Sequence, residues 1–401
     1  MTAALLLLAL IAAPQEPARL MPERIHQFGA DRGAIRRLGP LDWSELAFDR
    51  QEAFLLAQNR GLLQDVNFER LDLDDRVDFV LLRNLLEHEI RELGHERKRQ
   101  AEAAPLLPFA GPLVALVDTR MERRLATAEE SATTLDAAVR NLTELRTAWT
   151  KEKPEARPTV AGRAAERCED LRNALEDWYR FYAEYDPMFT WWCAEPWGRL
   201  SPALSEFARF LRKDVGGMNP DDPTQLLGDP IGREALLDEL RFEMIPYSPE
   251  ELVVIAEREL AWCRARWEEA AAEMGLGTDR AAALALAKER HVAPGEQPAL
   301  ILGLADEAVA FLREHDLVTI PELCERSWRM EMMSPERQKY TPYFTGGEVI
   351  SISFPTAGME HENKLMSLRS NNVPFCRATV HHELIPGHHL QGFLSQRYNT
   401  H

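Results

Sequence analysis

His381-His382-Glu383-Leu384-Ile385-Pro386-Gly387-His388-His389 is the stretch of sequence on which the prediction of fold and site depends. It places four histidines, a carboxylate and a Pro-Gly pair in nine positions, and five of the chain's eleven histidines lie at or after residue 381. Zinc binds imidazole nitrogens at roughly 2.0–2.1 Å, so two ligands of one ion must lie within a few ångströms of each other. The stretch therefore predicts a zinc site.

The spacing of the histidines indicates which of them share the ion. In a helical His-Glu-x-x-His site the histidines stand one turn apart on one face, and the Glu at i+1 serves as base. Here Pro386 occupies the i+4 position from His382, and the next histidines follow at i+6 and i+7. On a regular helix i+7 lies about 10 Å along the axis, which is too far for one ion.

The pair Pro386-Gly387 can shorten that distance. Proline has no N–H for the carbonyl of His382 and its ring opens the preceding turn, while glycine tolerates the dihedral angles that follow. We interpret the pair as a two-residue bulge inserted into a helical His-Glu-x-x-His motif. Without the bulge His388 stands at i+4 from His382, which favours His388 over His389 as the second ligand and leaves Glu383 as general base.

The other polar side chains in and just after the stretch are predicted to support the site. His381, His389 and Gln391 are candidates for hydrogen bonds to the metal ligands or for contacts to a substrate. A single histidine is usually a satisfied core or surface residue. Four within nine positions, beside a Glu and a helix-breaking pair, are hard to explain as packing.

The run from His382 to Gln391 resembles the signature of the bacterial family called domain of unknown function 885. Members of that family are similar to helical zinc peptidases of the gluzincin type. The resemblance is strongest over residues 340–395, looser at Tyr247–Leu252 and weaker still at Leu71–Arg76. It implies a mainly α, zincin-like helical architecture with peptides as substrates.

The resemblance also implies roles for particular residues. It makes His382 and His388 the zinc ligands and Glu383 the general base. A gluzincin takes its third ligand from a downstream Glu and its transition-state donor from a downstream Tyr or His, and neither has a matching position in these 401 residues. We therefore expect this chain alone to bind zinc weakly and to lack peptidase activity, and a longer chain to be active.

Composition and charge exclude some classes of partner. The chain carries 65 acidic and 47 basic residues, a formal charge of −18, which argues against nucleic acid and anionic membrane surfaces. A hydrophobic content of 45% is enough for a substantial core. The five cysteines are widely spaced, so they predict structural thiols and neither a disulfide framework nor a zinc knuckle. Oligomeric state is not predicted.

The N-terminus favours export. Thr2–Ala13 is an apolar run whose length suits a signal peptide and is too short for a membrane span. No Lys or Arg precedes it and no nearby Cys follows for lipidation. We predict a signal peptide over residues 1–18 and a periplasmic or secreted protein; the alternative is a frayed or buried N-terminal helix of a cytoplasmic one. No other stretch is long enough to span a membrane.

Helical periodicity dominates the remaining chain and predicts a mainly α fold. An N-terminal helical region is predicted over 19–245, and a second region over 246–401 that holds a strand and the metal motif. Predicted helices are 76–98, 121–151, 159–185, 249–274, 278–291 and 298–315. The β-branched run Glu348–Phe354 predicts a small β element before the metal helix, and by analogy with zinc peptidases it would pair with a substrate backbone. His88 and His95 are assigned to a helix surface.

The combined interpretation is a zinc-dependent hydrolase, most simply a metallopeptidase. A hydrolase of a non-peptide amide or ester would use the same residues. A helical scaffold with a degenerate metal site, without catalysis, is a second alternative, and an incomplete product of a longer reading frame is a third.

Overall fold

The computed structural model of the chain describes residues 20–219, 228–341 and 345–398. Nearly all regular structure in them is helical, and their two strands form one small sheet, which confirms the mainly α prediction. The chain divides into two compact units, one ending at Pro249 and one beginning at Glu250, close to the predicted boundary after residue 245. The predicted signal peptide lies outside the described residues. None of the described helices is long and apolar enough to cross a membrane.

The first unit is a bundle of helices whose starts are set by polar caps. The side chain of Ser44 accepts a hydrogen bond from the N–H of Ala47, and Asp72 accepts one from Asp75. The helices are, in chain order, α1 (Leu20–Arg36), α2 (Glu45–Asp65), α3 (Leu73–Ala103), α4 (Ala110–Met121), α5 (Ala128–Lys151), α6 (Pro158–Ala183), α7 (Pro187–Phe210) and α8 (Gly232–Phe242).

Two apolar cores hold this unit together. One lies between α1, α2 and α3, and the larger one lies between α4, α5, α6 and α7. Trp178 is fully buried in the larger core and meets the edge of Phe189, with ring centroids 5.2 Å apart.

The assignment of His88 and His95 to a helix surface was wrong. Both lie half-buried on α3 against α8, where His95 Nε2 is 2.8 Å from Asp238 and His88 stacks on Phe242. Burial by itself would raise the pKa of Asp238. The hydrogen bond with His95 and the charges of Arg91 and Arg241 outweigh it, so the pKa is lowered. These histidines join two helices.

The second unit contains the sheet and the metal motif. Its elements are, in chain order, α9 (Pro249–Glu273), α10 (Arg280–Lys288), α11 (Gln297–Glu314), α12 (Glu322–Ser327), β1 (Arg329–Met332), α13 (Pro335–Gln338), β2 (Val349–Ile352), α14 (His361–Ser370), α15 (Val373–Glu383) and α16 (His388–Arg397).

The sheet has two parallel strands, with Arg329 opposite Val349 and Met332 opposite Ile352. β2 is the predicted strand, whereas β1 was missed because Arg-Met-Glu-Met carries no β-branched residue. The other edge of β2 is also occupied: Ser351 and Thr345 exchange two main-chain hydrogen bonds of 2.8 and 3.2 Å in an antiparallel bridge. β2 is therefore flanked on both sides. At Ser351 it has no free edge, so the predicted direct pairing of this strand with a substrate is not available there.

Apolar contacts fix α15, the helix that carries His382, on this sheet. α11, β2 and α15 share a core in which Ile301, Ile350 and Val380 are fully buried. A second cluster joins α11 and α12 to Ile385 and Leu390, on either side of the Pro-Gly pair. Both ends of the motif are therefore anchored in core.

The thiols provide a test of this packing. Burial raises the pKa of Cys168 and Cys376 to about 12 and that of Cys193 to about 11, and it also raises the pKa of Cys324. Only Cys263 is exposed.

In the folded chain we expect a thiol reagent at neutral pH to leave the four buried cysteines unlabelled. All five should react in denaturant, as followed by mass spectrometry of the labelled peptides. Rapid native labelling of any of the four would contradict the packing.

Candidate metal centre

α15 carries the first half of the motif and ends in the middle of it. Asn372 caps its start by accepting a hydrogen bond of 3.1 Å from the N–H of Phe375. The helix stops at Glu383, because Leu384 has φ −102° and ψ −103°, which is not helical, and Pro386 follows a cis peptide bond. His382 and Glu383 therefore lie in the last turn of α15.

Gly387 closes the turn that follows. A Cβ at this position would overlap the carbonyl oxygen of His382, so only glycine allows the backbone to come this close. A new helix, α16, begins at the next residue, His388. The predicted bulge in a continuous helix is therefore wrong in form: the motif is two helices joined by the four-residue turn Leu384–Gly387.

The turn brings two imidazoles together. The ring centroids of His382 and His388 lie 4.6 Å apart, with their planes at 82°. Two imidazoles on one tetrahedral zinc ion have ring centres about 5 Å apart, whereas i and i+6 or i+7 positions of an unbroken helix would be roughly twice as far. Both side chains are exposed. The pair has the residue type and spacing of two ligands of one metal ion.

His389, in contrast, lies in the core. It is 4% exposed, and its Nε2 lies 2.7 Å from the carbonyl oxygen of Cys324 and 3.4 Å from the hydroxyl of Ser327. This bond fastens the start of α16 to α12. The nitrogen is thus engaged with main chain, and the structure places His389 in a structural position beside the exposed pair.

His381 and Gln391 flank the pair. His381 is half-buried, and its Nε2 has no hydrogen-bond partner among the described residues. Gln391 is exposed on α16, less than one turn after His388, and its N–H donates to the carbonyl of Gly387 at 3.1 Å. Their predicted contacts to ligands or substrate stay predictions.

Glu383 faces the segment that leads into β2. A Cβ built on Gly346 would lie 2.9 Å from Oε2 of Glu383 and would overlap its Cβ. No described residue pairs with the carboxylate through a hydrogen bond or an ion pair. Sequence reasoning missed Gly346. The requirement for glycine there comes from Glu383, which lies 37 positions away in sequence, so no local pattern signals it.

A third ligand is not found in the described part of the chain. Across residues 20–219, 228–341 and 345–398, no three His, Cys, Asp or Glu side chains come together in a group that could hold a metal ion. Glu348, the acidic residue nearest β2 in sequence, pairs with Arg329 at 2.9 Å. His401 lies outside the described residues. The described part of the chain therefore brings together His382 and His388 without a third group of this kind.

Comparison with known proteins identifies the family of the chain. Residues 22–400 match the family described as bacterial protein of unknown function (DUF885). The chain belongs to this family. The predicted resemblance is thereby confirmed, while the relation of DUF885 to gluzincins stays a prediction.

One solved structure has a similar fold. It is described as a "putative lipoprotein of unknown function" from Shewanella oneidensis, and it superposes with a TM-score of 0.58 at 15% sequence identity. The match covers 96% of this chain and 73% of the other. At this identity the likeness shows the fold alone. No curated protein matches this DUF885 chain significantly.

Different roles for His388 and His389 predict opposite effects of substitution. His388→Ala removes an exposed ring and should change the free energy of unfolding by less than about 0.5 kcal/mol, but it should abolish the visible d–d bands of added Co²⁺. His389→Ala leaves the Cys324 carbonyl unsatisfied and should cost about 1–3 kcal/mol, with the cobalt spectrum kept wherever the protein is folded. Denaturant titration and cobalt spectroscopy measure the two effects, and a reversed pattern would refute the assignment.

The contact between Gly346 and Glu383 predicts that a side chain added at position 346 destabilises the fold. Gly346→Ala should lower the free energy of unfolding by about 1–3 kcal/mol, because the added methyl overlaps the Glu383 side chain. Gly358→Ala is the matched control, since a Cβ there meets nothing within 4 Å. Equal stability of the two variants in urea denaturation would show that Glu383 does not lie against Gly346.

Proposed function

We propose that this DUF885 protein is a zinc-dependent hydrolase, most simply a metallopeptidase, with His382 and His388 as two metal ligands and Glu383 as general base. The observation that carries the proposal is the 4.6 Å separation of the two imidazole rings. The edge-to-face contact of two exposed rings by itself contributes little in water. A shared metal ion gives a physical reason for it.

Glu383 is suited to proton transfer. It follows one ligand directly in the last turn of α15, and no described cation neutralises its carboxylate. A bound zinc ion would supply Lewis acidity for the carbonyl under attack. Glu383 would accept the proton of the attacking water and return it to the leaving amine.

The Thr345–Gly346 segment supports a peptide as substrate. Thr345 directs its main-chain N–H and C=O to Ser351, with which it exchanges two hydrogen bonds. Gly346, the next residue, lies against the side chain of Glu383. Its main-chain N–H and C=O could bind an extended peptide backbone beside that carboxylate.

The third ligand belongs to the proposal as well. A catalytic zinc site has three protein ligands and one open position. We infer that the third is a carboxylate outside the described residues, as the gluzincin resemblance implies.

The location that fits the proposal is outside the cytoplasm. Thr2–Ala13 has the length and composition of a signal-peptide core, and the protein of similar fold is described as a lipoprotein. Both support export.

A non-catalytic helical scaffold is the second candidate, and the absence of a three-ligand group among the described residues favours it. The two candidates differ in turnover. A scaffold would bind Co²⁺ weakly through His382 and His388 and cleave nothing, whereas a hydrolase would cleave a mixed peptide library in a manner sensitive to chelators.

Glu383→Gln separates ligation from catalysis. Made in the longer chain that we expect to be active, the variant should keep the cobalt spectrum and lose cleavage by on the order of 10²-fold or more, because the amide cannot accept the proton. Glu362→Gln, an exposed substitution on α14, is the matched control and should keep both properties. Loss of the cobalt bands in Glu383→Gln would make Glu383 a ligand, and near-normal turnover would remove it from the mechanism.

A further inference from the structure

α9 is a long helix whose side chains are mostly exposed among the described residues. Only one of its 25 residues, Ala271, is buried. Val253, Leu260 and Trp267 are 58%, 49% and 43% exposed. Apolar surface of this extent on a single helix commonly marks an interaction site.

Three of the five large apolar side chains exposed on α9 follow a seven-residue repeat, and the other two, Val254 and Trp262, lie outside it at positions b and c. Val253, Leu260 and Trp267 stand seven positions apart and take the a positions of three heptads. The d positions, three residues further on in each heptad, are also exposed: Ala256, Cys263 and Ala270. Apolar a and d positions sustained over three heptads are the pattern of a coiled-coil seam. In this seam every a residue is large and every d residue is small.

The alternation of large and small side chains along the seam indicates how two copies of α9 would pack together. In an antiparallel pair with the twofold axis between residues 261 and 262, a positions pack against d positions. Val253 then meets the partner's Ala270, Leu260 meets the partner's Cys263, and each large side chain faces a small one. A parallel pair would place tryptophan on tryptophan and alanine on alanine, with crowding and gaps in alternate layers.

Charges beside the seam fit the same alignment. Position e carries Glu257 and Arg264, and position g carries Glu259 and Arg266. In the antiparallel pair e faces e and g faces g across the axis. Glu257 then faces the partner's Arg264 and Glu259 faces the partner's Arg266, and the twofold axis repeats both, giving four pairs of opposite charge. A parallel pair would match only Glu259 with the partner's Arg264.

We propose that α9 is the dimerisation helix of this protein and that it binds α9 of a second copy in antiparallel orientation. Two independent properties of the seam, side-chain size and charge, are self-complementary about the same twofold axis. Such an isologous interface is the commonest way in which soluble chains associate.

The contacts that α9 makes within one chain do not oppose this pairing strongly. Glu259 pairs with its neighbour Arg258 at 3.1 Å, and Arg266 pairs with Glu269. The guanidinium of Arg280 lies over the ring of Trp267 at 5.8 Å. These are surface contacts that contribute little in water and can rearrange.

Charge reversal tests the pairing in the full chain. One variant, Glu257→Arg with Glu259→Arg, makes all four flanking positions basic. The other, Arg264→Glu with Arg266→Glu, makes them acidic. By sedimentation velocity we expect the unsubstituted chain to dimerise at micromolar concentration and each variant alone to associate roughly 10-fold or more weakly. An equimolar mixture should form a 1:1 heterodimer, and circular dichroism confirms that the variants stay helical.

Disulfide trapping tests the orientation. In a Cys263→Ser background, a chain with Val253→Cys is mixed with a chain with Ala270→Cys and oxidised. An antiparallel pair should yield the mixed disulfide between the two chains. A parallel pair would yield Val253→Cys homodimers and Ala270→Cys homodimers instead, and would overturn the proposed alignment.

Two further outcomes would overturn the proposal. In one, the unsubstituted chain is monomeric; if Cys263 then also resists alkylation, other residues of the chain itself cover α9. In the other, the chain dimerises with no response to the charge variants, which would show that another surface pairs.

Discussion

The close approach of the backbone at Gly387 to the carbonyl of His382 is the constraint on which the candidate site depends. It lets α15 stop at Glu383 and α16 start at His388 after four residues. On a continuous helix the same histidines would point along one rod at separations that no single ion can bridge. Any side chain at position 387 would force the two helices apart.

The core on both sides of the turn holds this geometry in place. Val380 before the turn and Leu390 after it are buried in separate apolar clusters. His389 adds a hydrogen bond to the main chain of α12. One histidine of the motif is thereby fixed in the interior while its neighbour His388 stays exposed. The two residues differ because adjacent positions on a helix face different directions.

The surroundings of Glu383 show how the sheet contributes to the site. β2 is held between β1 and Thr345, so the segment that reaches the carboxylate is the one that precedes the strand. Gly346 has no side chain, and Glu383 occupies the space that a side chain would need. The sheet is thus small but places a peptide backbone directly beside the proposed general base.

The sequence by itself determined the helical class, the family and the importance of the stretch around His382. Local periodicity and a ten-residue signature carry that information, since both are contained within short windows of the chain. It also contained the seam of α9, whose heptads are readable in the printed residues, although periodicity alone does not say which apolar face of a helix is left uncovered.

Only the tertiary structure decided which side chains face each other. It distinguished His388 from His389, because burial against α12 depends on residues more than sixty positions away. It replaced the predicted bulge by a turn between two helices, revealed β1, and moved His88 and His95 from a surface to a helix interface. Each of these depends on contacts between segments distant in sequence, and such contacts leave no local pattern for periodicity or spacing to detect.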